Sequence, residues 1–135
     1  LNGYDPAQHE FVTADCFRWL EERAASGRRY DIVVLDPPSL AHEKANRYTA
    51  ARAYTRLNRL ALGCLREGGL LASASCTSQV SPELFREALA NAAAQARARL
   101  TIVHEGGQPL DHPVPAHFPE ARYLKFVIAR VSQAA

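Results

Sequence analysis

The sequence predicts an α/β fold built on a mostly parallel sheet, and three observations carry that prediction. Strand-like and helix-like segments alternate with short connections. Tyr30-Asp31-Ile32-Val33-Val34-Leu35 is a nearly unbroken aliphatic run, as expected of a central strand buried on both faces, and it stops at Asp36-Pro37-Pro38 because two prolines cannot continue a ladder. A long segment with two distinct faces follows, and Gly68-Gly69 closes it ahead of the next apolar run.

In chain order, Phe11-Val12-Thr13-Ala14-Asp15 reads as a short strand ending on a carboxylate. Cys16 to about Ala25 reads as a helix, with Phe17 and Leu20 on one side and Gly27 as its stop. Asn46 to Arg66 has helical spacing. At about 100° per residue, Tyr54, Leu57, Ala61, Cys64 and Leu65 fall on one side, and Arg52, Arg56, Arg59 and Arg66 line the other. Leu70 to Ser75 is the next strand and runs into Cys76-Thr77-Ser78. Ser81-Pro82-Glu83 then opens a helix with a capping Ser and a Pro in the first turn, and Phe85, Leu89, Ala92 and Ala96 keep the helical period to about Arg99. The last two strands are Leu100 to His104 and Tyr123 to Val131. Between them, Gly106 to Arg122 holds four prolines, a long loop of the kind that is often functional.

A chain of 135 residues is one domain's worth of sequence. Sixteen basic residues against 14 acidic ones leave +2, and 47% hydrophobic with 22% charged residues is the balance of a globular protein that can bury a core. The basic side is 14 Arg and two Lys. Arg is the better bidentate partner for phosphate, so the composition permits a nucleic acid without requiring one. Three widely spaced Cys without CxxC pairing argue against a secreted disulfide framework and for reduced thiols in the cytoplasm. No apolar run approaches the roughly 18 to 20 residues of a membrane span. With no Met and a start at Leu1-Asn2-Gly3, the chain is expected to continue upstream.

In a parallel α/β sheet, ligands bind beyond the carboxyl ends of the strands. Three places there carry reactive groups: Asp15-Cys16-Phe17, Asp36-Pro37-Pro38-Ser39 and Ser75-Cys76-Thr77. Asp15 by itself reads equally as the N-cap of the next helix. A lone Cys ending a buried strand is more often a small core hydrophobe than a nucleophile. Asp36-Pro37-Pro38 is harder to explain by structure alone, because two prolines fix a rigid extended backbone, remove two N–H donors and hold the Asp and nearby carbonyls toward the mouth of the sheet.

Strand, Asp-Pro-Pro, helix, Gly-Gly, strand resembles the latter part of class I S-adenosylmethionine-dependent methyltransferases. Val34-Leu35-Asp36-Pro37-Pro38-Ser39, Ser75-Cys76-Thr77-Ser78, Asp111-His112-Pro113-Val114 and Tyr123-Leu124-Lys125 together resemble the RlmI-type 23S ribosomal RNA cytosine-C5 methyltransferases, over essentially the whole chain. The resemblance implies a partial Rossmann-like class I fold, strands 3 to 7 of the order 3-2-1-4-5-7-6. The first two strands, the Gly-rich loop and an N-terminal RNA-binding domain would then lie upstream, and none of the seven glycines here forms a GxG. Residues 1–135 would be the C-terminal portion of a catalytic domain.

It also implies site roles. Cys76 would add to carbon 6 of cytosine and make carbon 5 nucleophilic toward the methyl sulfonium of S-adenosylmethionine. Asp36 would hydrogen-bond the N3 and N4 edge and share a proton there. Asp15, Cys16, Phe17, Asp36 and Pro37 would meet the cofactor, although Phe17 fits equally as a core residue of its helix. Pro38, Arg52, Tyr54 and Lys125 would contact the RNA. The Arg stripe reads as a phosphate track or simply as a solvated helix face. An open strand edge beside Asp36 would invite a homodimer or leave the piece weakly stable and poorly able to bind cofactor.

Other readings stay open. Methyltransferases of exocyclic amines also carry Asp-Pro-Pro, but an aromatic commonly follows where Ser39 stands here, and their chemistry needs no Cys. A Cys hydrolase pairing Cys76 with His112 or His117 would need an oxyanion loop that the sequence does not display. A non-catalytic remnant or assembly partner is the third. His9, His42 and His104 lack metal-ligand spacing, so no metal is expected.

Overall fold

The computed structural model describes residues 2–40 and 47–133, without the side chains of Arg47 and Gln133. Three helices, α1 (Cys16–Ala25), α2 (Arg47–Gly63) and α3 (Pro82–Gln95), alternate with strands β1 (Tyr30–Leu35), β2 (Leu65–Ser75), β3 (Ala98–Gly106) and β4 (Lys125–Gln133). Each helix whose start is described begins on a side-chain cap. Asp15 accepts from the Arg18 N–H at 3.0 Å, and Ser81 accepts from the Leu84 N–H at 3.2 Å with Pro82 in the first turn. The expected start of α2 at Asn46 lies outside the described residues.

The sheet order is β1-β2-β4-β3. β1 and β2 are parallel, while β4 is antiparallel to both β2 and β3. Thus β1, β2 and β3 run the same way, linked by helical crossovers, and β4 alone is reversed. The connection from β3 to β4 carries only a short 3-10 turn, Pro119–Ala121, and no crossover helix, so the chain returns antiparallel between β2 and β3.

The helices form one layer: α1 packs on α2, α2 on α3 and β2, and α3 on β3. Beneath them lies the sheet face of Leu35, Leu71, Val127, Ala129 and Val131, all buried. Tyr54 and Phe85 meet edge-on at 5.5 Å in the middle of this core, with Leu57, Leu89 and Ala92 around them. Tyr54, Leu57 and Ala61 of the expected stripe pack as read, but α2 ends at Gly63 rather than Arg66, so Cys64 and Leu65 reach the core from beyond the helix, Leu65 as the first residue of β2.

The expectation that β1 is buried on both faces is corrected. Val33 and Leu35 face the helices, but Ile32 and Val34 point to the other side and are 58% and 65% exposed. A single helix layer covers a single face, and β2 is the only strand that pairs with β1 among the described residues.

Residues 11–15 are likewise not a strand, and Phe11 is fully out in solvent at 83%. A strand needs a neighbour to receive its backbone groups. A cleft of about 430 Å³, lined by Glu10, Val12, Ala14, Trp19, Arg28 and Tyr30 among others, separates this segment from β1. Glu10 tethers it instead, pairing with Arg23 at 3.4 Å and Arg28 at 3.8 Å.

Other boundaries moved for local reasons. α3 stops at Gln95 rather than near Arg99 because Arg97 takes a left-handed conformation, φ 52°. β2 starts at Leu65, five residues before Leu70, since Gly68 (φ 74°) and Gly69 lie within the strand at a bulge between the Tyr30–Leu65 and Ile32–Leu70 pairs. No helix among the described residues is long and apolar enough to cross a membrane.

At Gly69 a Cβ would stand 2.9 Å from the Arg66 carbonyl oxygen and 3.1 Å from that of Asp31. Gly69→Ala is expected to lower stability by about 1–3 kcal/mol through backbone displacement at the bulge. Gly107→Ala, whose Cβ would meet Leu124 at an ordinary 3.6 Å, serves as the near-neutral control in urea unfolding.

Candidate active site

The parallel pairing of β1 with β2 runs in register from Ile32–Leu70 to Leu35–Ser73. Both strands therefore deliver their carboxyl ends to the same edge of the molecule. β1 turns out at Asp36-Pro37-Pro38, and β2 continues through Ser75 to Cys76. The two turns meet: the Cys76 thiol donates to the Pro37 carbonyl at 3.7 Å. Because Pro37 and Pro38 stiffen their turn, that carbonyl is held in a fixed position over the sulfur. Cys76 is partly exposed, Asp36 and Pro38 are exposed, and Pro37 is intermediate, so the group opens to solvent.

A cleft of about 350 Å³ opens beside the thiol, lined by Ser39, Cys76, Thr77, Gln79, Glu120 and Tyr123 among others. Glu120 and Tyr123 come from the Pro-rich loop. Sequence reasoning marked the Gly106–Arg122 loop as functional by its length and its prolines but had no signal for Glu120, while Tyr123, read as the start of the last strand, entered only through the resemblance of Tyr123-Leu124-Lys125 and lies ahead of β4. His112 and His117 of the same loop are exposed and do not line this cleft, so among the described residues the thiol has no imidazole beside it of the kind a Cys hydrolase needs.

Under the cleft lies a buried cation. Ser75 pairs across the sheet with Lys125, whose side chain runs beneath the turn and donates to the carbonyl oxygens of Thr77 and, at 2.7 Å, Tyr123. Lys125 is 8% exposed. Burial pushes its pKa down from 10.5 to about 8, and the neighbouring Cys76 opposes that shift when it carries charge. The expectation that Lys125 contacts RNA is thus corrected, because two of its three N–H groups are committed to backbone inside the protein.

Tyr54 is also corrected. It belongs to the buried stripe of α2 and is fully enclosed, its hydroxyl close to Ser75 and the Leu40 backbone without a well-formed hydrogen bond to a described residue. Burial raises its pKa, so the phenol stays neutral. Arg52 is exposed but lines a different cleft, between α2 and α3 with Glu87 and Asn91. Of the Arg stripe, Arg56 pairs with Glu21 at 2.9 Å and covers the Phe17 ring at 4.9 Å, and Arg66 pairs with Asp31. Those two side chains serve the helix and strand surfaces that carry them.

Asp15, Cys16 and Phe17 sit together at the start of α1, apart from the Cys76 cleft. Asp15 uses Oδ1 to cap the helix and keeps its other oxygen for a donor; Cys16 is exposed and Phe17 partly buried. Cys64 is core, as its stripe predicted: its thiol donates to the Leu20 carbonyl at 3.5 Å and burial raises its pKa. Among the described residues no group of His, Cys, Asp or Glu is arranged to hold a metal.

Three co-directional strands, a reversed strand inserted before the last, and an acidic turn clasped to a cysteine turn together define part of a class I S-adenosylmethionine-dependent methyltransferase fold. A methyltransferase crystallised with S-adenosylhomocysteine superposes on 96% of this chain and 33% of its own, with a TM-score of 0.78 at 24% identity. In sequence, the ribosomal RNA large subunit methyltransferase I of Shewanella denitrificans is 36% identical over 97% of this chain. That of Yersinia pestis is 38% identical over the same share. The chain is homologous to these methyltransferases over nearly all its residues and spans about a third (33%) of their length. No protein-family model matches the sequence.

The buried ammonium makes stability depend on pH with a definite sign. Between about 8 and 10.5 the unfolded chain holds a proton on Lys125 that the folded chain has released, so folding gains as pH rises through that window. Wild type is therefore expected to gain on Lys125→Met from pH 8 to 10 in urea unfolding. A gap that stays flat or moves against wild type would contradict the burial.

Proposed function

We propose that this chain is the C-terminal catalytic portion of an S-adenosylmethionine-dependent RNA methyltransferase that forms 5-methylcytosine in large-subunit (23S) ribosomal RNA. The observation that supports it most is the clasp between Cys76 and Pro37, which sets a thiol and the Asp36 carboxylate at one mouth of the sheet. Homology to the ribosomal RNA large subunit methyltransferases I supports an RNA substrate, and on this reading the protein acts in the cytoplasm.

Carbon 5 of cytosine is a weak nucleophile. The Cys76 thiolate adds to carbon 6, and the electron pair displaced from the double bond moves toward carbon 5 and N3. Asp36, exposed at the same mouth, holds the N3 and N4 edge and shares the proton that the ring needs as charge builds there. S-adenosylmethionine supplies an electrophilic methyl on sulfonium. Loss of the carbon 5 proton then expels Cys76 and restores the ring.

Asp15, Cys16 and Phe17 at the start of α1 would hold the cofactor's adenine, and Asp36 and Pro37 would meet the cofactor as well. The residues there fit it: the Asp15 oxygen not used in capping is free to accept from an exocyclic amine, and Cys16 is exposed beside it. The Gly-rich cradle for the methionine part and an N-terminal RNA-binding domain belong to the longer protein, on this reading. So does closure of the open β1 edge. In this chain alone that edge pairs with a second copy or leaves the fold weak, and cofactor binding and activity are lost. Sedimentation equilibrium is expected to show concentration-dependent dimers, and a monomer with protected β1 amides would count against it.

The central test is covalent trapping. The intact protein incubated with S-adenosylmethionine and a 5-fluorocytosine RNA is expected to form a denaturant-stable adduct on Cys76, since fluorine cannot leave as the proton does. Cys76→Ala is expected to abolish both adduct and methylation, by at least about 10³-fold, and Asp36→Asn to slow methylation by about 10² or more. Unchanged 5-methylcytosine formation by Cys76→Ala would sink the reading.

A further inference from the structure

Among the described residues, Lys125 is a buried cation without a counter-charge. None of the six ion pairs of the described residues includes it, and its partners are two neutral carbonyls. Burying an ammonium is unfavourable, and a core position that needed only packing would be filled by an apolar residue. Its location supplies the reason. The carbonyl of Thr77 follows Cys76 directly in the chain, and Lys125 pairs across the sheet with Ser75, which precedes it. The backbone of Lys125 thus holds the residue before the nucleophile, while its side chain holds the residue after it and ties that turn to Tyr123.

We propose that Lys125 is a positioning residue for Cys76: its ammonium fixes the turn that carries the sulfur and supplies the positive charge against which the thiolate forms. This deepens the proposed function and rests on Cys76 being the nucleophile. The thiol releases its proton to solvent, the sulfur keeps the electron pair, and the ammonium keeps all its protons. The uncompensated cation and the new anion then neutralise each other in a site of reduced dielectric. A neighbouring Lys is one of the environments in which a cysteine forms its thiolate more readily.

The other titratable groups around Lys125 do not supply this charge balance. Glu105 of β3 lines the cleft on the far side of Lys125 but is engaged bidentately by Arg86, and Arg122, in the same cleft, is itself cationic. Tyr54 of α2 is held neutral by burial. Asp36 and Glu120 sit at the exposed mouth above the turn.

The test needs no methylation. Iodoacetamide alkylation of Cys76 in the full chain, followed by peptide mass spectrometry from pH 6 to 9, reports thiolate formation directly. Exposed Cys16 serves as internal reference, and buried Cys64 as a monitor of folding. Lys125→Gln keeps a donor for the carbonyls but removes the charge. It is expected to slow Cys76 alkylation at pH 7 by about tenfold, while Cys16 is unchanged. Lys125→Arg keeps the charge and is expected to stay within about threefold of wild type. A folded Lys125→Gln protein with wild-type Cys76 reactivity would overturn the proposal. If Lys125→Gln exposes Cys64, the Arg variant decides: folded, with Cys76 slowed as far as about tenfold, it would overturn the proposal equally. Failure of the 5-fluorocytosine trap in wild type, with the Lys125 effect intact, would instead remove the methyltransferase reading and leave the pair.

Discussion

The parallel pairing of β1 with β2 is the constraint on which the site depends. A parallel ladder with Leu35 opposite Ser73 brings two strand ends, about 40 residues apart in sequence, to one edge with the same polarity. No side chain has to reach far after that. Pro37 stiffens one turn, the reversed strand β4 presents Lys125 opposite Ser75, and the thiol of Cys76 settles between them on the Pro37 carbonyl. Any change that slipped this register by one residue would turn Leu35 out of the core and carry Asp36 to the other face.

The core explains why that register holds. One layer of helices covers one face of the sheet, and its centre is the Tyr54–Phe85 contact over Leu71 and Val127. The same face carries the small polar residues Ser73 and Ser75 beneath the turns, where larger side chains would push α2 away. Their hydroxyls and that of Tyr54 find no well-formed partner among the described residues. The protein thus tolerates a seam of unfavourable polarity directly under the proposed nucleophile, and the buried ammonium of Lys125 belongs to that seam. Such local conflicts with packing rules concentrate where chemistry is done.

Much of the fold was legible in the residues. The extents of α1 and β1 were read as they occur, because Asp15, Gly27 and the proline pair punctuate them sharply. Boundaries failed where the deciding contact is distant. Gly68-Gly69 looked like a helix stop and is a bulge inside β2, since what places it is the pairing of Leu65 with Tyr30. Residues 11–15 have the pattern of a strand but no neighbour, and no local signal reports a missing partner. The site divides the same way. Asp36, Pro37, Pro38 and Cys76 were recognisable from their places after apolar runs. Tyr54 was assigned to substrate from its place near the start of its helix and Lys125 from the resemblance, whereas their burial depends on what packs around them.

Residue chemistry alone therefore located the three helices, the strand that stops at Asp36 and the thiol that belongs to the core. These depend on local sterics, capping and periodicity, and such information is written within a few residues. The place of β4 between β2 and β3 was implied by the family resemblance, and only the tertiary structure decided that β1 keeps an open apolar face and that Lys125 lies under the turn of Cys76 instead of facing solvent. Each of those is set by residues far apart in the chain, through the free energy of covering a surface or pairing a charge, and no short window of sequence contains that sum.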